Sequence, residues 1–119
     1  MQVVGRGTKV FGHAPVRGTW RALEGPDDVL ALMDGETGAE GVVALVREAG
    51  ATFLAPIYHE LTAVVCTNGT PSSHIGIVSR EFHVPCVMAA TFDGHGEPAD
   101  GDTVEVDCSI DGEEGVVRA

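Results

Sequence analysis

Two short runs of β-branched and small apolar residues, Val42 to Val46 and Ala63 to Cys66, constrain the fold of this chain more than any other feature. Neither run alternates polar with apolar, and each is bounded by turn or helix signals, which is the pattern of strands buried on both faces in a parallel sheet. The best-defined helix follows the second run. Ile75, Val78 and Phe82 recur at i, i+3 and i+7, an apolar stripe on one face, and Ser72 or Ser73 can cap its start. Pro85 ends this helix and opens a strand from Pro85 to Ala89. Strand, helix, strand in that order implies parallel pairing through a right-handed crossover. The loop between Cys66 and His74 then lies at the carboxyl edge of the sheet, where α/β folds place their ligands.

The remaining elements are shorter. Val16 to Leu23 is expected to be a strand, and Pro26 followed by Asp27, Asp28, Val29, Leu30, Leu32 and Met33 predicts a short helix with proline and acids in its first turn, stopped by Gly35 and Gly38. Ala51 to Leu61, which carries Pro56, predicts irregular or short helical structure. Late strands are expected from Thr103 to Asp107 and from Gly115 to Arg118. With no repeat and no long linker, the 119 residues predict a single domain over 1–119 around one hydrophobic core.

Several functions are disfavoured by composition and spacing. The formal net charge is -11, and the stretch from Asp93 to Glu114 holds nine acidic residues without a Lys or Arg, so nucleic acid is repelled. That stretch is expected to be a solvated surface rather than a docking face for a basic partner. The apolar runs are too short to cross a bilayer, and residues 1–12 do not have the pattern of a signal peptide, so a cytoplasmic chain without membrane contact is expected. Cys66, Cys86 and Cys108 are an odd set without CxxC spacing, expected to be buried free thiols. His13, His59, His83 and His95 lie in separate segments without ligand spacing, so no metal site is expected.

The run Cys66-Thr67-Asn68-Gly69-Thr70-Pro71-Ser72-Ser73-His74 has the composition of an anion-binding loop. Small and turn-forming residues leave its backbone accessible, the first helical turn supplies amide groups and a positive dipole end, and Thr67, Thr70, Ser72 and Ser73 supply hydroxyls. His74 stands among these donors. A neutral imidazole is nucleophilic, and donors around it can hold the oxygens of a phosphoryl adduct. Arg80, about 9 Å further along the helix, is too far to grip the same phosphate and is expected to pack or pair.

Gly69 and the run from Ser72 through His74 to Glu81, followed by Val84-Pro85, resemble the signature of the phosphohistidine, or swivelling, domain of phosphoenolpyruvate (PEP)-utilising enzymes. That signature reads roughly Thr-Asp/Glu-x-Gly-Gly-x-Thr/Ser-Ser/Cys-His-Ala-Ala-Ile-Val-Ala-Arg-Glu, then Ile-Pro-Ala-Val. The likeness continues through Gly101 to Asp107 and Gly115 to Val117. Cys66, Thr67 and Thr70 depart from it, standing where the family has threonine, an acid and a second glycine.

The resemblance implies an α/β fold, a three-layer β/β/α swivelling domain with a central, largely parallel sheet. It implies that His74 carries a phosphoryl group, with Gly69, Thr70, Ser72 and Ser73 at the phosphate. The chain then binds no cofactor itself and has no P-loop. Its partners would be an ATP-grasp-type subunit that binds Mg-ATP and phosphorylates the histidine, and a PEP- or pyruvate-like acceptor subunit, as in PEP synthase and pyruvate phosphate dikinase. The alternative is a non-catalytic swivelling module that binds an anion or a partner protein. A hydrolase using Cys86 or Ser73 as nucleophile has no elbow or triad pattern behind it. The phosphoryl acceptor is not encoded in this stretch.

Overall fold

The computed structural model describes residues 1–94 and 96–119. Its elements in chain order are β1 (Val3–Lys9), β2 (His13–Ala22), α1 (Pro26–Met33), β3 (Val42–Val46), β4 (Ala63–Cys66), α2 (His74–Phe82), β5 (Cys86–Phe92), β6 (Thr103–Cys108) and β7 (Glu114–Arg118), with a single 3-10 turn at Tyr58–Glu60. The helices and strands expected from sequence form close to their expected bounds. β1 was not foreseen.

β1 changes the architecture. It pairs antiparallel with both β5 and β7, and so closes the sheet into a barrel of order β1-β5-β4-β3-β2-β6-β7. Parallel pairing is confined to β2 with β3, β3 with β4, and β4 with β5. The expected three-layer β/β/α domain with a central, largely parallel sheet is therefore incorrect: the described residues form a closed, mixed barrel of β1 to β7 with α1 and α2 outside it.

The reason lies in what buries each face. Val43 and Leu45 of β3 and Val65 of β4 join Val4, Trp20, Val87, Val104, Val106 and Val117 in a core to which all seven strands contribute, the barrel interior. Ala44, Val46, Val64 and Cys66 face the other way, into a second core with Val29 of α1, Ile75 of α2, and Leu54, Ile57 and Tyr58. A continuous apolar run reports that both faces are covered, and a barrel lumen covers one face as well as a second layer does.

β1 and β5 do not pair evenly. Arg6 lies opposite Thr91 and Thr8 opposite Met88, so Ala89 and Ala90 together face Gly7 in a β-bulge. A Cβ on Gly7 would lie 2.4 Å from the Met88 carbonyl oxygen, so glycine is needed for this close approach. Ala89 has φ of +53°, a left-handed conformation in a residue with a side chain.

Candidate functional site

The loop after β4 runs along the outside of the barrel at the carboxyl end of the parallel strands. The Thr67 N–H donates to the Val46 carbonyl at 3.1 Å, continuing the β3 contact by one residue. Gly69 has φ of +77°, and a Cβ there would lie 2.3 Å from the Ala49 Cβ and 2.9 Å from the Ser73 hydroxyl oxygen, so both the turn and the packing require glycine.

Thr70 is accommodated differently. It is not among the residues with positive φ, so the second glycine of the family signature is not needed for backbone freedom. Its N–H donates to the Ser73 hydroxyl at 3.0 Å, and its own hydroxyl accepts from the Ser72 N–H at 3.2 Å. Each of these hydroxyls accepts through a lone pair and keeps its O–H to donate.

His74 is the first residue of α2 and is exposed. Ser73 precedes it in an extended conformation as the N-cap, although its side chain makes no capping bond because it is turned back to Thr70. The Ser73 carbonyl accepts from the Ile77 N–H at 3.0 Å. The Ile75 N–H is already given to the Ala49 carbonyl at 2.9 Å, so one donor of the first turn is withdrawn from any anion. On its other flank His74 borders a cleft of about 260 Å3 lined by apolar groups of Leu54, Ala55, Val78 and Phe82. Tyr58 also lines that cleft, and its hydroxyl is satisfied. The Tyr58 hydroxyl bonds the Ile75 carbonyl at 3.1 Å and the Ser79 hydroxyl, and burial pushes the phenol up.

The structure thus brings Gly69, Thr70, Ser72, Ser73 and His74 into one exposed turn and helix start. Arg80 stands apart, donating to the Val10 carbonyl at 2.6 Å and so tying α2 to the end of β1. The other described histidines are elsewhere: the His13 ring lies against the Ala14 carbonyl, His59 sits in the 3-10 turn, and His83 caps the end of α2 against Phe11. His95 lies outside the described residues. Among the described residues no group of three or more His, Cys, Asp or Glu could hold a metal.

The hydrolase reading loses its thiol. Cys86 is buried, and desolvation pushes its thiol up to about 12, which disfavours the nucleophilic thiolate. Four acids of the stretch pair with arginines from elsewhere in the chain: Glu97 with Arg47, Glu105 with Arg17 and Arg118, Asp107 with Arg118, and Glu114 with Arg6. Asn68 and Ala49, which hold the loop, were missed at the level of sequence; an Asn in a turn is too common to mark a role, and Ala49 acts through its backbone alone.

Fold and site together describe a small barrel domain that presents one histidine at a helix start beside a hydroxyl-rich turn. A comparison with protein families matches residues 38–111 to the PEP-utilising enzyme mobile domain, and the chain belongs to that family. No curated protein sequence matches it. Two solved structures of the microcin C7 self-immunity protein MccF, an inactive mutant without ligand and a complex with glutamyl sulfamoyl guanosine, each share its fold with a TM-score of 0.50 at 10% identity. Each match covers 96% of this chain and 41% of the other, and bears on the fold alone. Among the described residues no helix is long and apolar enough to cross a membrane.

Proposed function

We propose that the protein is a phosphoryl carrier in which His74 accepts a phosphoryl group from a nucleotide-binding partner and passes it to an acceptor site on another domain or subunit. The single observation that supports this most is the exposed His74 at the first position of α2, directly after a turn whose Thr70 and Ser73 hydroxyls keep their O–H groups to donate. Family membership supports it independently.

In the proposed step the unprotonated ring nitrogen of the neutral imidazole attacks the phosphorus, the bond from phosphorus to the leaving oxygen of the donor breaks with its electron pair going to that oxygen, and the other ring nitrogen releases its proton to solvent. The helix dipole and the turn's hydroxyls favour the resulting phosphoryl charge of about -2. An acceptor oxygen then attacks, the phosphorus to nitrogen bond breaks, and the imidazole is restored. Mg-ATP would be held by an ATP-grasp-type partner, and a PEP- or pyruvate-like acceptor by a further one.

The test is labelling by the cognate ATP-binding partner with Mg-ATP. Acid-labile, alkali-stable label is expected on the wild type, none on His74→Ala, and weakened labelling on Ser73→Ala. Acid-labile label at an undiminished rate on His74→Ala overturns the proposal. No label on the wild type favours the non-catalytic module instead.

A further inference from the structure

Asn68 ties the loop that carries His74 both to the turn after β3 and to β5. The Asn68 Oδ1 accepts the Ala49 N–H at 2.8 Å and lies 3.5 Å from the Cys66 thiol, while the Asn68 backbone carbonyl accepts the Ala89 N–H at 3.2 Å. Ala49 is buried, and its carbonyl accepts the Ile75 N–H at 2.9 Å in the first turn of α2. Its methyl also fills the space that a Cβ on Gly69 would need, 2.3 Å away. Asn68, Ala49 and Ile75 therefore form a clasp that joins the start of the loop to the start of the helix and fixes the span of 69–73 between them. The thiol of Cys66, one of the departures from the family signature, stands as a weak donor to the same oxygen.

We infer that Asn68 is a positioning residue for His74: through Ala49 it sets where the first turn of α2 sits relative to the hydroxyl-rich turn, and hence how the donors converge on a phosphoryl group. The role rests on the carrier reading above. The family signature leaves this position open, so the inference comes from the geometry of this loop. Asn68 is exposed, and truncating it removes little packing while leaving the buried Ala49 N–H without its acceptor.

The experiment uses the full chain with phosphoramidate as a small chemical donor. The phosphorus to imidazole bond forms as the donor's phosphorus to nitrogen bond breaks and ammonia leaves. His74→Ala is the control for the labelled residue. Two quantities are read, the half-life of the adduct and amide hydrogen exchange at Ala49 and Ile75. Asn68→Ala is expected to speed exchange at both amides, and to shorten the adduct half-life, by about fivefold, the factor that one neutral hydrogen bond supplies. Asn68→Asp keeps the Oδ1 acceptor and is expected to restore slow exchange at both amides. Should Asn68→Ala fail to fold, Asn68→Ser, with a shorter side chain, carries the same comparison. Exchange at Ile75 and an adduct half-life both unchanged in Asn68→Ala overturn the inference, as does an Asn68→Asp protein that exchanges as fast as Asn68→Ala. A wild type that takes no phosphate at His74 overturns the carrier reading, and with it the role of Asn68, even where the exchange data show the clasp.

Discussion

Replacing Ala89 by glycine is expected to stabilise the protein. Ala89 sits in the bulge between β1 and β5 with φ of +53°, where its Cβ crowds its own backbone. For an L-residue that conformation costs about 1–2 kcal/mol, which glycine does not incur. Glycine also gives the unfolded chain more freedom, an opposing effect of about 0.5–1 kcal/mol. The Ala89 side chain is exposed, so little burial is lost, and its N–H to Asn68 is kept. The balance is a stabilisation of about 0.5–1 kcal/mol, or a rise in Tm of about 2–5 °C for a domain of this size. Scanning calorimetry on wild type and Ala89→Gly at one concentration and pH measures it. A Tm that stays level or falls would show that the bulge does not strain this residue.

Two other expectations concern the barrel. The Asp107 carboxyl, 6% exposed, is held down to about 2 first by the Ser109 hydroxyl and then by the Arg118 guanidinium, which donates at 2.7 Å. Because its folded value is below the ordinary one, this contribution to stability is complete above about pH 4 and is lost as pH falls towards 2. Arg118→Ala is therefore expected to lose about 1–3 kcal/mol in urea unfolding at pH 7, with the difference from wild type shrinking on acidification; a difference that persists below pH 2 would refute the pairing. All three cysteines are buried, with Cys86 raised to about 12 and Cys108 to about 11 by desolvation. Labelling by an aromatic disulfide at pH 8 should accordingly be at least about a hundredfold slower in the native protein than in denaturant, and rapid native labelling of any one of them would refute its burial.

The strands and helices that were legible in the sequence are those whose signal is local. Val42–Val46 and Ala63–Cys66 formed as parallel neighbours, and His74 opened the helix that follows, because continuous apolar runs and an i, i+3, i+7 stripe need no knowledge of distant partners. β1 was illegible for the opposite reason. Gly5, Arg6, Gly7 and Lys9 carry neither an apolar run nor clean alternation, and the glycines are there because of what lies on the neighbouring strand β5: at Gly7 a Cβ would meet the Met88 carbonyl, and at Gly5 it would come within 2.7 Å of the Phe92 ring. Closure of the sheet depends on that one strand, so missing it turned a barrel into an open layered sheet.

The site shows the same division more finely. Gly69, Thr70, Ser72, Ser73 and His74 could be named because each supplies a side chain or a backbone freedom suited to an anion. What holds them is carried by atoms that leave no mark on residue type: the Ala49 carbonyl that occupies the Ile75 N–H, the Ala89 N–H on the Asn68 carbonyl, and the Ala49 N–H on the Asn68 side chain. These contacts also explain why the departures at Thr70 and Cys66 do not disrupt the turn. Thr70 closes it with its own N–H and hydroxyl, and the Cys66 thiol faces Asn68 from the end of β4. The loop is fastened at its start to β5 through Ala89 and at both ends to the turn after β3 through Ala49, so the residue changes at Thr70 and Cys66 are accommodated between fixed points. If His74 carries a phosphoryl group as proposed, the constraint falls on the anchors at 49, 68 and 89 as much as on the residues that would face the phosphate.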